Sequence, residues 1–132
     1  MGHPDLIDGL TRVKDCFNSY TLDRLAQAAA TAAMGDTAYY QEINSRVIRT
    51  REWTRNALME AGIPVLPSQA NFLFVKAHPE NAAGVLAKLK ERGILARHFN
   101  KPKTAPYLRV SIGFQEDMEK VVGELIAIVK GG

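Results

Sequence analysis

Asn71-Phe72-Leu73-Phe74-Val75 is the stretch on which the fold turns. Successive side chains of a strand point to opposite faces, and here both faces are apolar. A strand of that kind is expected to lie centrally in its sheet and to be covered on both sides. Downstream, Pro79 to Arg92 predicts a helix with Ala82, Val85, Leu86 and Leu89 inward and Gly93 closing it. Ile94 to Phe99 and Leu108 to Ile112 predict two more strands, parted by a loop from Asn100 to Pro106 that holds two prolines. A last helix, from about Gln115 to Val129, is expected to bury Met118, Val121, Val122, Leu125 and Val129.

Upstream, Pro64 and Pro67 restrict Ile63 to Leu66 to an edge strand. Three helices precede it. The first starts at Pro4, repeats Leu6, Leu10 and Val13 on one side, and is interrupted at Asn18-Ser19. Thr21 is the expected cap of the second, Leu22 to Met34, which Gly35 ends. Alanines at 26, 28, 29, 30, 32 and 33 leave that helix smooth and predict close packing. Asp36 is placed to cap the third, an amphipathic strut to about Ala61 with Tyr40, Ile43, Val47 and Leu58 near one stripe, ended by Gly62.

This order predicts an α/β chain, α+β-like in having two layers: a helical N-terminal segment, then a small three- to four-stranded sheet packed against helices. The character of the sequence changes near Asp36, so residues 1–36 and 37–132 are the expected divisions.

Composition narrows the function. The chain has 132 residues, 46% of them hydrophobic, enough for one ordinary core. Its formal charge of +3 comes from cations scattered among acids, which gives nucleic-acid binding no support. The densest cluster, Arg46, Arg49, Arg51 and Arg55, falls on more than one face of a helix and reads as a solvated surface. Cys16 is the only cysteine, so no internal disulfide can form; a reducing, cytoplasmic setting and a packed, inert thiol are expected. No run of residues is long and apolar enough to suggest a membrane partner.

The candidate chemistry lies on the strands. In Tyr107-Leu108-Arg109-Val110-Ser111-Ile112-Gly113, alternation sends Leu108, Val110 and Ile112 to one face and Tyr107, Arg109 and Ser111 to the other. A guanidinium held on a strand is a planar fork shaped for a carboxylate. Arg97 occupies a similar place one strand earlier, so the two can converge on a ligand with two anionic groups, or one of them can simply pair with Glu91, Asp117 or Glu119. Asn71 opens a strand read as buried, where a polar side chain needs a partner; it either orients an arginine or caps the loop. His98 turns away from Arg97 and has no acid or metal partner in the pattern; His78, before Pro79, is expected to help start a helix, and His3 to lie in a frayed terminus. No phosphate-cradling glycine loop, nucleophile elbow or metalloprotease motif occurs.

Taken together, several segments resemble the fold-type I, pyridoxal-phosphate-dependent aminotransferases, and within them the histidinol-phosphate group. They are His3-Pro4-Asp5-Leu6-Ile7, Arg12-Val13-Lys14-Asp15-Cys16-Phe17-Asn18, the alanine-rich helix, Pro67-Ser68-Gln69-Ala70-Asn71-Phe72, Gly93-Ile94-Leu95-Ala96-Arg97 and Leu108-Arg109-Val110-Ser111-Ile112-Gly113. The resemblance implies a C-terminal small domain whose parent exchanges an amino group between histidinol phosphate and 2-oxoglutarate, giving glutamate, with pyridoxal 5'-phosphate as cofactor. It further implies that Arg109 matches the carboxylate-binding arginine, Arg97 a second arginine suited to a phosphate, and Asn71 an asparagine beside that site. None of the eight lysines sits in the family's Schiff-base motif, so no bound cofactor and no activity are expected of these residues alone. The early helices then resemble a connection to a larger domain, and without their partner they are expected to drive homo-oligomer formation, by domain swapping among other routes. The alternative is a free-standing α/β domain that binds a small molecule or a partner without catalysis.

Overall fold

The strand Leu108-Arg109-Val110-Ser111, whose side chains alternate between apolar and polar, lies in the middle of the sheet. A computed structural model describes residues 2–18, 22–77 and 82–131. Its elements are α1 (Pro4–Asn18), α2 (Arg24–Gly35), α3 (Thr37–Glu60), β1 (Phe72–Val75), α4 (Ala82–Glu91), β2 (Arg97–His98), β3 (Leu108–Ser111) and α5 (Gln115–Lys130). The sheet order is β1-β3-β2, with both pairings antiparallel. β1 and β2 therefore run parallel to each other with β3 inserted between them, a split strand-helix-strand unit.

This overturns the expectation that Asn71 to Val75 is the central strand, covered on both sides. Leu73 and Val75 are fully buried, whereas Phe72 and Phe74 are only half-buried on the opposite face. The reason is aromatic: Phe72 meets Phe74 edge to face at 5.8 Å between centroids, and Phe74 meets Tyr107 in the same way at 6.3 Å. An apolar pattern marks surface that wants contact, and rings can supply that contact to one another without a second covering layer.

The expected edge strand is smaller than predicted. Val65 bridges Val75, Leu66 N–H donates to Phe74 and Lys76 N–H donates to Pro64. Proline at 64 and 67 removes the donors a longer ladder would need. Strand β2 is likewise cut to two residues.

One face of the sheet carries the core. Leu73, Val75, Leu108 and Val110 cluster with Ala82, Val85 and Leu89 of α4, Met118, Val122, Leu125 and Ile128 of α5, and Leu58 of α3. Ile128 takes the buried place expected of Val129, which packs at the margin, as does Val121. Helix and sheet thus form the two layers expected.

Two helices end alike. Gly62 and Gly93 adopt positive φ, 79° and 76°, where a Cβ would be strained. At each end the next residue's N–H reaches back five residues, from Ile63 to Leu58 and from Ile94 to Leu89, both at 2.9 Å, and both isoleucines enter the core. This capping motif couples helix termination to burial.

The chain divides into two compact units, Met1–Tyr40 and Gln41–Gly132. In the first, α1 exposes Leu6, Leu10 and Val13, each to 67%, and α2 has no buried residue. The close packing expected from its alanines is absent within the described residues. Asp23 caps α2 by accepting from Ala26 N–H at 2.8 Å, and Asp36 Oδ1 accepts from Tyr39 at the start of α3, as expected. The expected cap at Thr21, the break at Ser19 and the helix start at His78-Pro79 lie outside the described residues. Cys16 is exposed, not packed, like every other residue of α1 from Pro4 to Cys16.

Candidate functional site

The face of the sheet away from the core presents Phe72 and Phe74 from β1, Arg109 and Ser111 from β3, and Arg97 from β2. Register brings the cations together: Arg97 and Arg109 are direct cross-strand partners, and Phe74 faces Arg109 on the other side. Like charges directly opposite each other are destabilising, and ordinarily a carboxylate relieves them. Among the described residues neither arginine forms an ion pair. The acids that sequence offered as neutralising partners are not engaged with them; Glu119 accepts from Gln115 at 3.0 Å, and Asp117 lies beside Gly113. Two neighbouring cations with nothing opposite them suit a ligand that brings its own negative charge.

The arginines differ in burial. Arg97 is exposed, whereas Arg109 is half-buried and its Nε is closed off from solvent with no hydrogen-bond partner. The Arg109 guanidinium stands over two rings, 5.3 Å from the Phe72 centroid and 5.6 Å from that of Phe99. Sequence reasoning passed over Phe99 and used Phe72 only as core. The available signal was parity: Phe72 shares its face with Phe74, and Phe99 with Arg97.

Asn71 is exposed, which removes the premise that it sits in a buried strand and must find a partner. Its carbonyl accepts from Ile112 N–H at 2.9 Å, joining β1 to the residue after β3. The loop ahead of it is tied down. Ser68 Oγ donates to Phe72 at 2.7 Å and accepts from Ala70 N–H, and Arg51 Nη1 donates to the Ala70 carbonyl at 3.2 Å. Arg51 is only 8% exposed, and the Arg55 Nε is buried without a partner. The arginine cluster of α3 is therefore not the uniformly solvated face that spacing suggested: a helix that packs on one side carries part of any two-faced cluster inward.

His98 turns to the other face, as alternation requires, and its Nε2–H donates to the Ala105 carbonyl at 2.8 Å. That bond folds the loop from Asn100 to Pro106 back against β2. Among the described residues no group of three or more histidines, cysteines and acids could hold a metal, and no helix is long and apolar enough to cross a membrane.

The family profile "Aminotransferase class I and II" matches residues 1–125. The chain belongs to this family. Among curated relatives, a histidinol-phosphate aminotransferase of Clostridium botulinum (strain Okra / Type B1) is 43% identical over 129 residues, which is 98% of this chain and 36% of that protein. Histidinol-phosphate aminotransferase 1 of Pseudomonas fluorescens is 47% identical over 125 residues, 95% of this chain and 36% of the relative. The aminotransferase chain thus spans little more than a third of their length. In three dimensions it is similar to histidinol-phosphate aminotransferase from Sinorhizobium meliloti, solved in complex with pyridoxal-5'-phosphate, with a TM-score of 0.76 at 22% identity, covering 92% of this chain and 34% of that one. At that identity the likeness is one of fold.

For the cofactor that the resemblance implies, the open face of this aminotransferase chain is a partial fit. Its paired strand positions offer guanidinium and aromatic groups to an acid, and none of them is a lysine whose amine could hold an aldehyde.

Proposed function

We propose that this chain is the substrate-gripping part of an aminotransferase acting on histidinol phosphate and 2-oxoglutarate, in histidine biosynthesis and in the cytoplasm. In this reading residues 1–36 are the helical connection to a larger domain, and residues 37–132 are the small C-terminal domain. One observation carries it: Arg97 and Arg109 face each other across neighbouring strands without a carboxylate among the described residues. The names of the curated relatives support the choice of substrate.

On the α-carbon, where an amino acid carries its carboxylate, histidinol phosphate carries a CH2–O–phosphate group. The two substrates thus present different anions at one position, and Arg109 serves as the fork for both. Arg97 adds the second cation that a phosphate needs more than a carboxylate does. Asn71, at the bend just ahead of β1, is the third substrate-binding residue of the proposal. Pyridoxal 5'-phosphate, held elsewhere in the parent, supplies the amino-group chemistry, and this chain contributes grip and closure. By itself the chain is then inactive, and a homo-oligomer forms through its first unit, where the apolar sides of α1 and α2 are uncovered.

Kinetics of the intact aminotransferase test the assignment. Arg109→Ala is expected to raise KM for both acidic substrates by about tenfold or more, the scale of a lost hydrogen-bonded charge contact. Arg97→Ala is expected to raise it more for histidinol phosphate than for glutamate. Unchanged KM for both substrates in Arg109→Ala refutes the role.

A further inference from the structure

Arg109 is held on two sides by rings that reach it from different parts of the fold. Phe72 comes from β1, where its carbonyl accepts from Ser68 Oγ at 2.7 Å, and its ring is braced edge-on by Phe74, which is braced in turn by Tyr107. Phe99 follows β2, and its carbonyl accepts from Lys101 N–H and from Thr104 Oγ1, each at 2.8 Å. Between them the Arg109 Nε is buried and unpartnered.

Chemistry favours rings here over acids. A carboxylate beside Arg109 would hold it firmly but would occupy the groups a substrate needs. An aromatic face attracts the cation and leaves its N–H groups free. Arg97, directly opposite, would push an unrestrained Arg109 away.

We propose that Phe72 and Phe99 are positioning residues that clamp Arg109, so that it meets acidic substrates end-on through its two Nη groups and not side-on through Nε. The inference rests on Arg109 being the acid-binding group proposed above.

In the intact aminotransferase, Phe72→Leu and Phe99→Leu are each expected to raise KM for both acidic substrates about fivefold to thirtyfold, the scale of a desolvated cation–ring contact. The turnover number kcat should stay within about twofold. Phe72→Tyr and Phe99→Tyr should restore KM, since tyrosine keeps the ring face. In an Arg109→Ala background the leucine changes should add nothing further. Leucine variants with unaltered KM, in an enzyme where Arg109→Ala does raise it, overturn the clamp alone. If Arg109→Ala is itself without effect, the acid-binding role falls first.

A second measurement covers the case in which a leucine variant does not fold. In the NMR spectrum of the unaltered 132-residue chain, the Arg109 Nε–H should be shifted by ring currents and exchange slowly with water. Added inorganic phosphate should move its Nη resonances more than Nε. An Nε–H that exchanges like that of free arginine, or that phosphate shifts most, overturns the end-on geometry.

Discussion

Helix α2 offers Leu25, Met34 and a row of alanines and buries none of them, whereas α5 places Met118, Val122, Leu125 and Ile128 in the core. Both are good helix formers with apolar sides, so propensity does not separate them. What separates them is the neighbour. Helix α5 has α4 beside it and a sheet whose apolar face alternates in step with its own stripe. The same contrast recurs within β3: Leu108 is completely buried, while Arg109, one residue on, faces away from the core and has no ion-pair partner among the described residues. Parts of this molecule are satisfied internally and parts are not, and the unsatisfied parts are where an interaction with something else is to be sought.

The contrast can be broken from either side. The largest effect is expected at Leu125, fully buried in α5: Leu125→Ala should lower the unfolding free energy by about 2–5 kcal/mol in a denaturant titration. A loss below about 1 kcal/mol would mean that α5 is no better supported than α2. A smaller effect is expected at Gly93, whose φ of 76° a Cβ resists although nothing lies near it. Gly93→Ala should cost about 1 kcal/mol, read as a fall in melting temperature, and an unchanged melting temperature would show that the α4 cap does not depend on glycine. Smallest in stability, and most telling for the proposed oligomer, is Leu10→Glu in α1, where the side chain is 67% exposed. Melting of the isolated species should hardly move, but light scattering at micromolar concentration should shift from dimer or larger species to monomer. A wild-type chain that is monomeric under those conditions would refute the oligomer outright.

Much of this was legible in the residues. Gly35, Gly62 and Gly93 announced helix ends, and at Gly62 and Gly93 the backbone shows why. Alternation in Leu108 to Ser111 separated core from open face, and the equivalent placement of Arg97 suggested the pairing that register provides. The errors share one cause, which is that local pattern reports what a surface wants and not what it receives. Phe72 and Phe74 wanted contact and found it in each other and in Tyr107, so β1 became the outer strand of its ladder with β3. The alanines of α2 wanted close neighbours and have none among the described residues. Arg51 had the spacing of a surface charge, but the loop before β1 folded over it and took its hydrogen bond at Ala70.

By itself, then, the sequence determined the order of helices and strands, though not the length of the short strands, together with where the helices stop and which side chains share a face, because those follow from backbone sterics and from periods of 3.6 and 2 residues. Tertiary structure alone decided that β3 lies between its neighbours, that Arg97 stands directly across from Arg109, and that Phe72 and Phe99 wall the guanidinium from two sides. Those facts depend on strand order and register. Both are set by how several distant segments bury their apolar faces together, which no single stretch of residues encodes.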